Sequence, residues 1–132
     1  MLAIAGGKGG CGKATTTLGL AGTLGRTRRP VLAADADLDM PDLHLLADVE
    51  ADPNLATVVG GGAVEDAAHS PPSFSGVDVV PAPQSLGEAV DLPSALSRLV
   101  ATADHVLVDC PAGAGRGRTP RPRFESRRTR CW

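Results

Sequence analysis

The sequence predicts an α/β domain, a parallel β-sheet with helices on its faces. Four short apolar runs, residues 2–5, 31–34, 77–80 and 106–108, have the length and the Val, Leu, Ile and Ala content of strands buried on both faces. The stretches between them leave room for helical crossovers. Strands that alternate with helices pair in parallel, through right-handed connections. A chain of 132 residues suits one domain, and such a domain buries roughly two-thirds of the surface its unfolded form exposes.

The first strand runs straight into Gly6-Gly7-Lys8-Gly9-Gly10-Cys11-Gly12-Lys13. Glycines there let backbone N–H groups turn toward an anion, and the helix that follows adds partial positive charge at its N-terminus. Gly7, Gly12 and Lys13 fit the pattern G-x-x-x-x-G-K-[ST], with Lys13 placed to reach the outer phosphates of a nucleotide. Ala14 stands where that pattern has a hydroxyl for Mg²⁺. Thr15, one place on, leaves the helix at another angle. Taken alone, the loop is also compatible with a plain Gly-rich turn.

The helix after the loop is expected over residues 14–25. Gly19 and Gly22 each cost it ~1 kcal/mol relative to Ala, so it depends on packing against the sheet. Arg26, Arg28 and Arg29 suit its negative end. The second strand, 31–34, ends in Asp35, Asp37 and Asp39 at alternate positions. At the carboxyl end of a parallel strand, carboxylates hold hydrated Mg²⁺ or orient a water for attack on phosphate. Asp39 and Asp42 are read as caps of the next helix, and Asp35 and Asp37 as the functional pair.

Leu43, Leu45 and Leu46 suggest one helical turn, and Leu55, Val58 and Val59 another, closed by Gly60-Gly61-Gly62. Ser70-Pro71-Pro72-Ser73 breaks the chain before the third strand. Ser85 and Glu88 have the spacing of a capping box. Leu92, Leu96, Leu99 and Val100 then recur on one helical face, with Pro93 in its first turn. The fourth strand ends in Asp109-Cys110-Pro111-Ala112-Gly113, an acidic strand end followed by a forced turn.

Three motifs in this order resemble the deviant Walker A ATPases of the MinD/ParA group, P-loop enzymes whose signature K-G-G-x-G-K-[ST] is matched by Lys8 to Lys13. Asp35-Ala36-Asp37 resembles the group's switch segment, and Val106 to Gly113 its Walker B segment. The resemblance covers residues 1 to about 113. It implies a nucleotide-sandwich dimer that hydrolyses ATP with Mg²⁺. By that resemblance Lys13 contacts the nucleotide in its own subunit and Lys8 reaches the partner's phosphates. Asp37 positions the attacking water, and Asp35 and Asp109 serve the metal. Gly7, Gly9, Gly10, Cys11, Gly12, Lys13, Ala14 and Thr15 would line the nucleotide. Members of the group place the division site, partition chromosomes or plasmids, or load metal cofactors. A nucleotide- or nucleic-acid-binding module without turnover is the alternative, favoured by Ala14, by the Arg-rich tail and by the group's later half not following, and an inert fragment is a third reading.

Composition bounds the rest. No apolar run approaches the ~18 residues of a membrane span, and no secretory leader opens the chain, so a cytoplasmic protein is expected. Cys11, Cys110 and Cys131 lack metal-ligand spacing and read as thiols of a reducing compartment. His44, His69 and His105 are scattered and read as none of them a ligand. The net charge of −2 divides sharply: residues 1–115 carry six Lys or Arg against fourteen Asp or Glu, and residues 116–132 carry seven Arg against one Glu. The chain is therefore read as a partial nucleotide-binding domain over 1–115, incomplete beside the MinD/ParA group, and a disordered Arg-rich tail over 116–132. The tail is read as accidental rather than as an arm for nucleic acid or membrane lipid. The resemblance also implies that strand one, without the group's later strands, lies at an open edge.

Overall fold

The computed structural model describes residues 1–6, 12–85 and 88–111. It has the predicted class: a four-stranded, all-parallel sheet with helices on both faces. The strands are β1 (Leu2–Ile4), β2 (Val31–Asp35), β3 (Val77–Val80) and β4 (His105–Asp109). The helices are α1 (Lys13–Gly25), α2 (Leu43–Ala47), α3 (Leu55–Val59), α4 (Val64–Ala67) and α5 (Leu92–Thr102). The strand order is β1-β4-β2-β3. The tail over 116–132 lies outside the described residues.

Alternation along the strands divides the core in two. Leu32, Ala34, Val80, Val106 and Val108 face α3, α4 and α5 through Leu55, Val58, Val64, Leu96 and Leu99. Val31, Ala33, Val77, Val79 and Leu107 face α1 and α2 through Ala14, Leu18, Ala21, Leu43 and Ala47. The small side chains of α1 let it lie close to the sheet. At its far end Gly25 meets Gly76, which has φ +77°. A Cβ on Gly25 would stand 2.6 Å from the Ser75 carbonyl oxygen, so neither the helix end nor the turn before β3 tolerates a side chain.

The sheet's two edges differ. The outer edge of β3 is bridged by His69, whose backbone exchanges hydrogen bonds of 2.8 and 2.7 Å with Val79. Among the described residues β1 pairs with β4 alone, the edge position expected for it.

Four sequence expectations are corrected. Ser85 and Glu88 do not cap α5. Asp91 does, accepting from the Ser94 N–H at 3.3 Å, and the helix begins at Leu92, seven residues beyond Ser85. On α5 the buried stripe is Leu92, Ala95, Leu96 and Leu99, whereas Val100 is half exposed, because a 100° step carries it past the edge of the core face. Asp42 stands at the start of α2, but its side chain makes no capping bond there, and neither does that of Asp39. Helix α4 was not anticipated. It is a single turn whose Val64 and Ala67 complete the core under α3.

Candidate functional site

Strands β1, β4 and β2 end at one level. Ile4 lies beside Asp109, and Asp109 beside Asp35. Two further backbone bonds, Cys110 N–H to the Ile4 carbonyl and Ala36 N–H to the Asp109 carbonyl, both 2.9 Å, continue the ladder past the strand ends. Alternation places Asp35 and Asp109 on the same face as Ala33 and Leu107, the face that α1 and α2 cover. That parity brings the start of α1 and the start of α2 to the two carboxylates.

Helix α1 starts at Gly12, which takes the left-handed conformation at φ 80°, and no side chain caps this end. The positive end of the helix dipole lies at its first amides, the kind of end that favours an anion. Lys13 is half-buried and acts electrostatically on Asp109. Ala14 is buried in the core between α1 and the sheet, whereas Thr15 is exposed. Gly7, Lys8, Gly9, Gly10 and Cys11, which carry the rest of the predicted loop, lie outside the described residues.

Asp35 is fully buried. One carboxylate oxygen accepts from the Asp37 N–H at 3.0 Å, and the other from the Leu43 N–H at 3.1 Å. Burial raises its pKa to about 7 against the pull of those two bonds, and the charges of Asp109 and Asp37 push it further up. Asp109 is 2 % exposed, and among the described residues its Oδ1 has no hydrogen-bond partner. Burial raises its pKa to about 6. Lys13 opposes that rise, while Asp42 and Asp37 add to it. Asp37 is also buried, and its carboxylate accepts from the Met40 N–H at 3.1 Å.

The structure therefore gathers Lys13, Asp35, Asp37 and Asp109 at the carboxyl edge of the sheet, and it separates their surroundings. Asp109 keeps an oxygen without a hydrogen-bond partner among the described residues, in a group on which the charge of Lys13 acts. Asp35, expected to serve the metal, has both oxygens engaged by the backbone of the segment that follows it. Sequence reading missed this bond to Leu43, which joins residues eight apart through space, and missed Asp42 as a neighbour of Asp109. No signal in the sequence marks either. Among the described residues no group of three or more His, Cys, Asp or Glu side chains could hold a metal by itself.

A parallel sheet with a glycine–lysine turn after its first strand and acidic ends on its neighbours defines a nucleotide-binding domain of the P-loop class. Residues 2–111 match the CobQ/CobB/MinD/ParA nucleotide-binding domain, and the chain belongs to that family. An uncharacterized ATP-binding protein of Methanocaldococcus jannaschii is 36% identical over 122 residues, which is 87% of this chain and 46% of that protein. The cell division ATPase MinD of Pyrococcus furiosus superposes with a TM-score of 0.64 at 38% identity, over 86% of this chain and 51% of that one. The septum site-determining protein MinD of Pyrococcus horikoshii, solved in complex with Mg-ADP, gives a TM-score of 0.64 at 35% identity, over 86% and 49%. The chain thus spans about half the length of the relatives it matches.

Proposed function

We propose that this domain binds Mg-ATP at the carboxyl edge of its sheet and hydrolyses it, in the service of division-site placement or of chromosome or plasmid partitioning. The observation that carries the reading is the buried, unpartnered Oδ1 of Asp109 beside Lys13, at the amino end of α1. A carboxylate left unpaired in a dry site is costly, and a hydrated cation is the partner its chemistry asks for.

In this reading the phosphates lie against the loop over residues 7–13 and the first amides of α1, and Lys13 offsets charge on the outer phosphates. Asp109 holds Mg²⁺ through water. When bound, the ion would supply neutralisation of phosphate charge. Asp37 orients a water in line with the γ-phosphorus, whose bond to the bridging oxygen breaks as the new P–O bond forms. Lys8 acts across a dimer, on the phosphates held by a second copy. The presence of Mg-ADP in the Pyrococcus horikoshii protein supports the choice of nucleotide and metal, and the division role of the Pyrococcus furiosus protein supports the cellular one.

A second reading, nucleotide binding without turnover, is favoured by one observation. Position 14 offers a buried methyl group where the phosphate-loop pattern has a hydroxyl.

Calorimetric titration of the full chain with Mg²⁺ and a non-hydrolysable ATP analogue tests the site, wild type against Lys13→Ala. Loss of affinity in the variant is expected, and equal affinity overturns the reading. Phosphate release from ATP separates the two readings: tight binding with no release in the wild type establishes the second.

A further inference from the structure

The carboxylate of Asp35 joins two backbone positions that the chain itself holds six residues apart. It accepts from the Asp37 N–H on one oxygen and from the Leu43 N–H on the other. Residues 36–42 therefore form a loop closed at both ends by a single side chain. Leu43, the first residue of α2, is itself fully buried between that helix and the sheet, so its amide is a fixed point. Asp42 occupies the position from which a helix is ordinarily capped, yet its side chain makes no such bond. Asp35, at the end of β2, instead accepts from the first amide of α2, that of Leu43. Asp37 lies within this closed loop, with its own carboxylate tied to the Met40 N–H. Among the described residues, the two hydrogen bonds of Asp37, its N–H to Asp35 and its carboxylate to the Met40 N–H, thus both lie within the segment that Asp35 closes.

We propose that Asp35 is a positioning residue, one that clamps the segment between β2 and α2 and so aims the carboxylate of Asp37, rather than a ligand of the metal. This rests on the reading above only where it gives Asp37 a task at the γ-phosphate. The geometry of the clamp stands apart from it. A carboxylate suits the post because it accepts from two amides at once. Asparagine has one acceptor oxygen and an NH₂ group that faces the second amide, and alanine has neither.

The test is residue-resolved amide hydrogen exchange on the full chain, wild type against Asp35→Ala and Asp35→Asn, with steady-state ATP hydrolysis measured on the same samples. In Asp35→Ala the amides of Asp37 and Leu43 are expected to exchange about tenfold faster or more. The amides of Ala36 and Val79, bonded to the Asp109 and His69 carbonyls, keep their rates. Asp35→Asn restores protection at one of the two amides. In both variants kcat falls by about tenfold while KM for ATP stays within about twofold, the split expected when a positioning contact rather than a binding contact is lost. Unchanged exchange at both amides overturns the proposal. So does intact protection accompanied by loss of Mg²⁺-dependent ADP binding, because that result makes Asp35 a metal ligand. If Asp35→Ala does not fold, Asp35→Asn decides: faster exchange at one amide supports the clamp, and wild-type rates at both overturn it. If the wild type releases no phosphate, the hydrolytic reading fails while the exchange measurement still decides the clamp.

Discussion

Asp35 and Asp109 sit directly opposite each other on adjacent parallel strands, side chains on the same face, both buried. The fold therefore holds two carboxyl groups side by side where water does not reach them freely. Only one is fully bonded: Asp35 accepts from two amides, while one oxygen of Asp109 has no partner. Such a pair is unfavourable for the empty protein and useful to one that receives a cation.

The first prediction concerns acidity. The ordinary carboxyl value of 3.8 rises to about 7 at Asp35 and about 6 at Asp109. Between those values the native state holds protons that the unfolded chain has released. These two groups therefore contribute stability at pH 4 that is lost as pH rises through 6 and 7. The loss is on the order of a few kcal/mol. Denaturant melts of nucleotide-free protein from pH 4 to 8 check it. Asp35→Asn should gain stability relative to wild type as pH rises, and a difference constant with pH contradicts the assignment.

Asp109→Asn removes the unpartnered charge while keeping the shape. The nucleotide-free protein should melt no lower at pH 8, and by up to ~1–3 kcal/mol higher, since a buried group without a partner is being neutralised. The enhancement of ADP binding by Mg²⁺ should shrink at least about tenfold. Calorimetry with Mg²⁺ and with EDTA reads both arms. An enhancement equal to that of wild type would place the metal elsewhere.

Ala14→Thr supplies the missing hydroxyl at a position that is 5 % exposed. Mg²⁺-dependent nucleotide affinity should rise by ~1–3 kcal/mol. The extra atoms crowd the packing of α1 on the sheet and should lower stability in the absence of nucleotide by ~1 kcal/mol or more. Unaltered Mg²⁺ dependence means that water already completes the ion's shell.

Gly76→Ala tests the opposite edge of the sheet. The residue has φ +77°, and its new Cβ would run into the Gly25 carbonyl. Stability should fall by ~2 kcal/mol or more. Nucleotide affinity should be unaffected, because Gly76 precedes β3 at the amino edge while the site lies at the carboxyl edge. A matching loss of affinity would show that the α1–β3 contact reaches the site.

The strands were legible as short, mostly apolar runs bounded by Gly, Pro or Asp, and α1 as the segment between the Gly-rich loop and the arginines that follow it. The start of α5 was not. Ser85 with Glu88 satisfies a local pattern, but Asp91 beside Pro93 sits where the buried stripe of Leu92, Ala95, Leu96 and Leu99 begins, and packing decided the start. At the site, residue types at strand ends announced the acidic groups and Lys13. Their division of labour was not announced. Asp35 and Asp109 look alike in sequence, each an acid closing an apolar run. They differ only because α2 begins against Asp35 and α1 against Asp109, a matter of which helix covers which strand.

The backbone bonds that continue past Ile4, Asp109 and Asp35 have a mechanical consequence. The three segments that leave the sheet here, toward Lys13, toward Asp37 and beyond Asp109, spring from one tie-bar of peptide groups rather than from three separate anchors. A tug on any of them is shared with the other two across two 2.9 Å links.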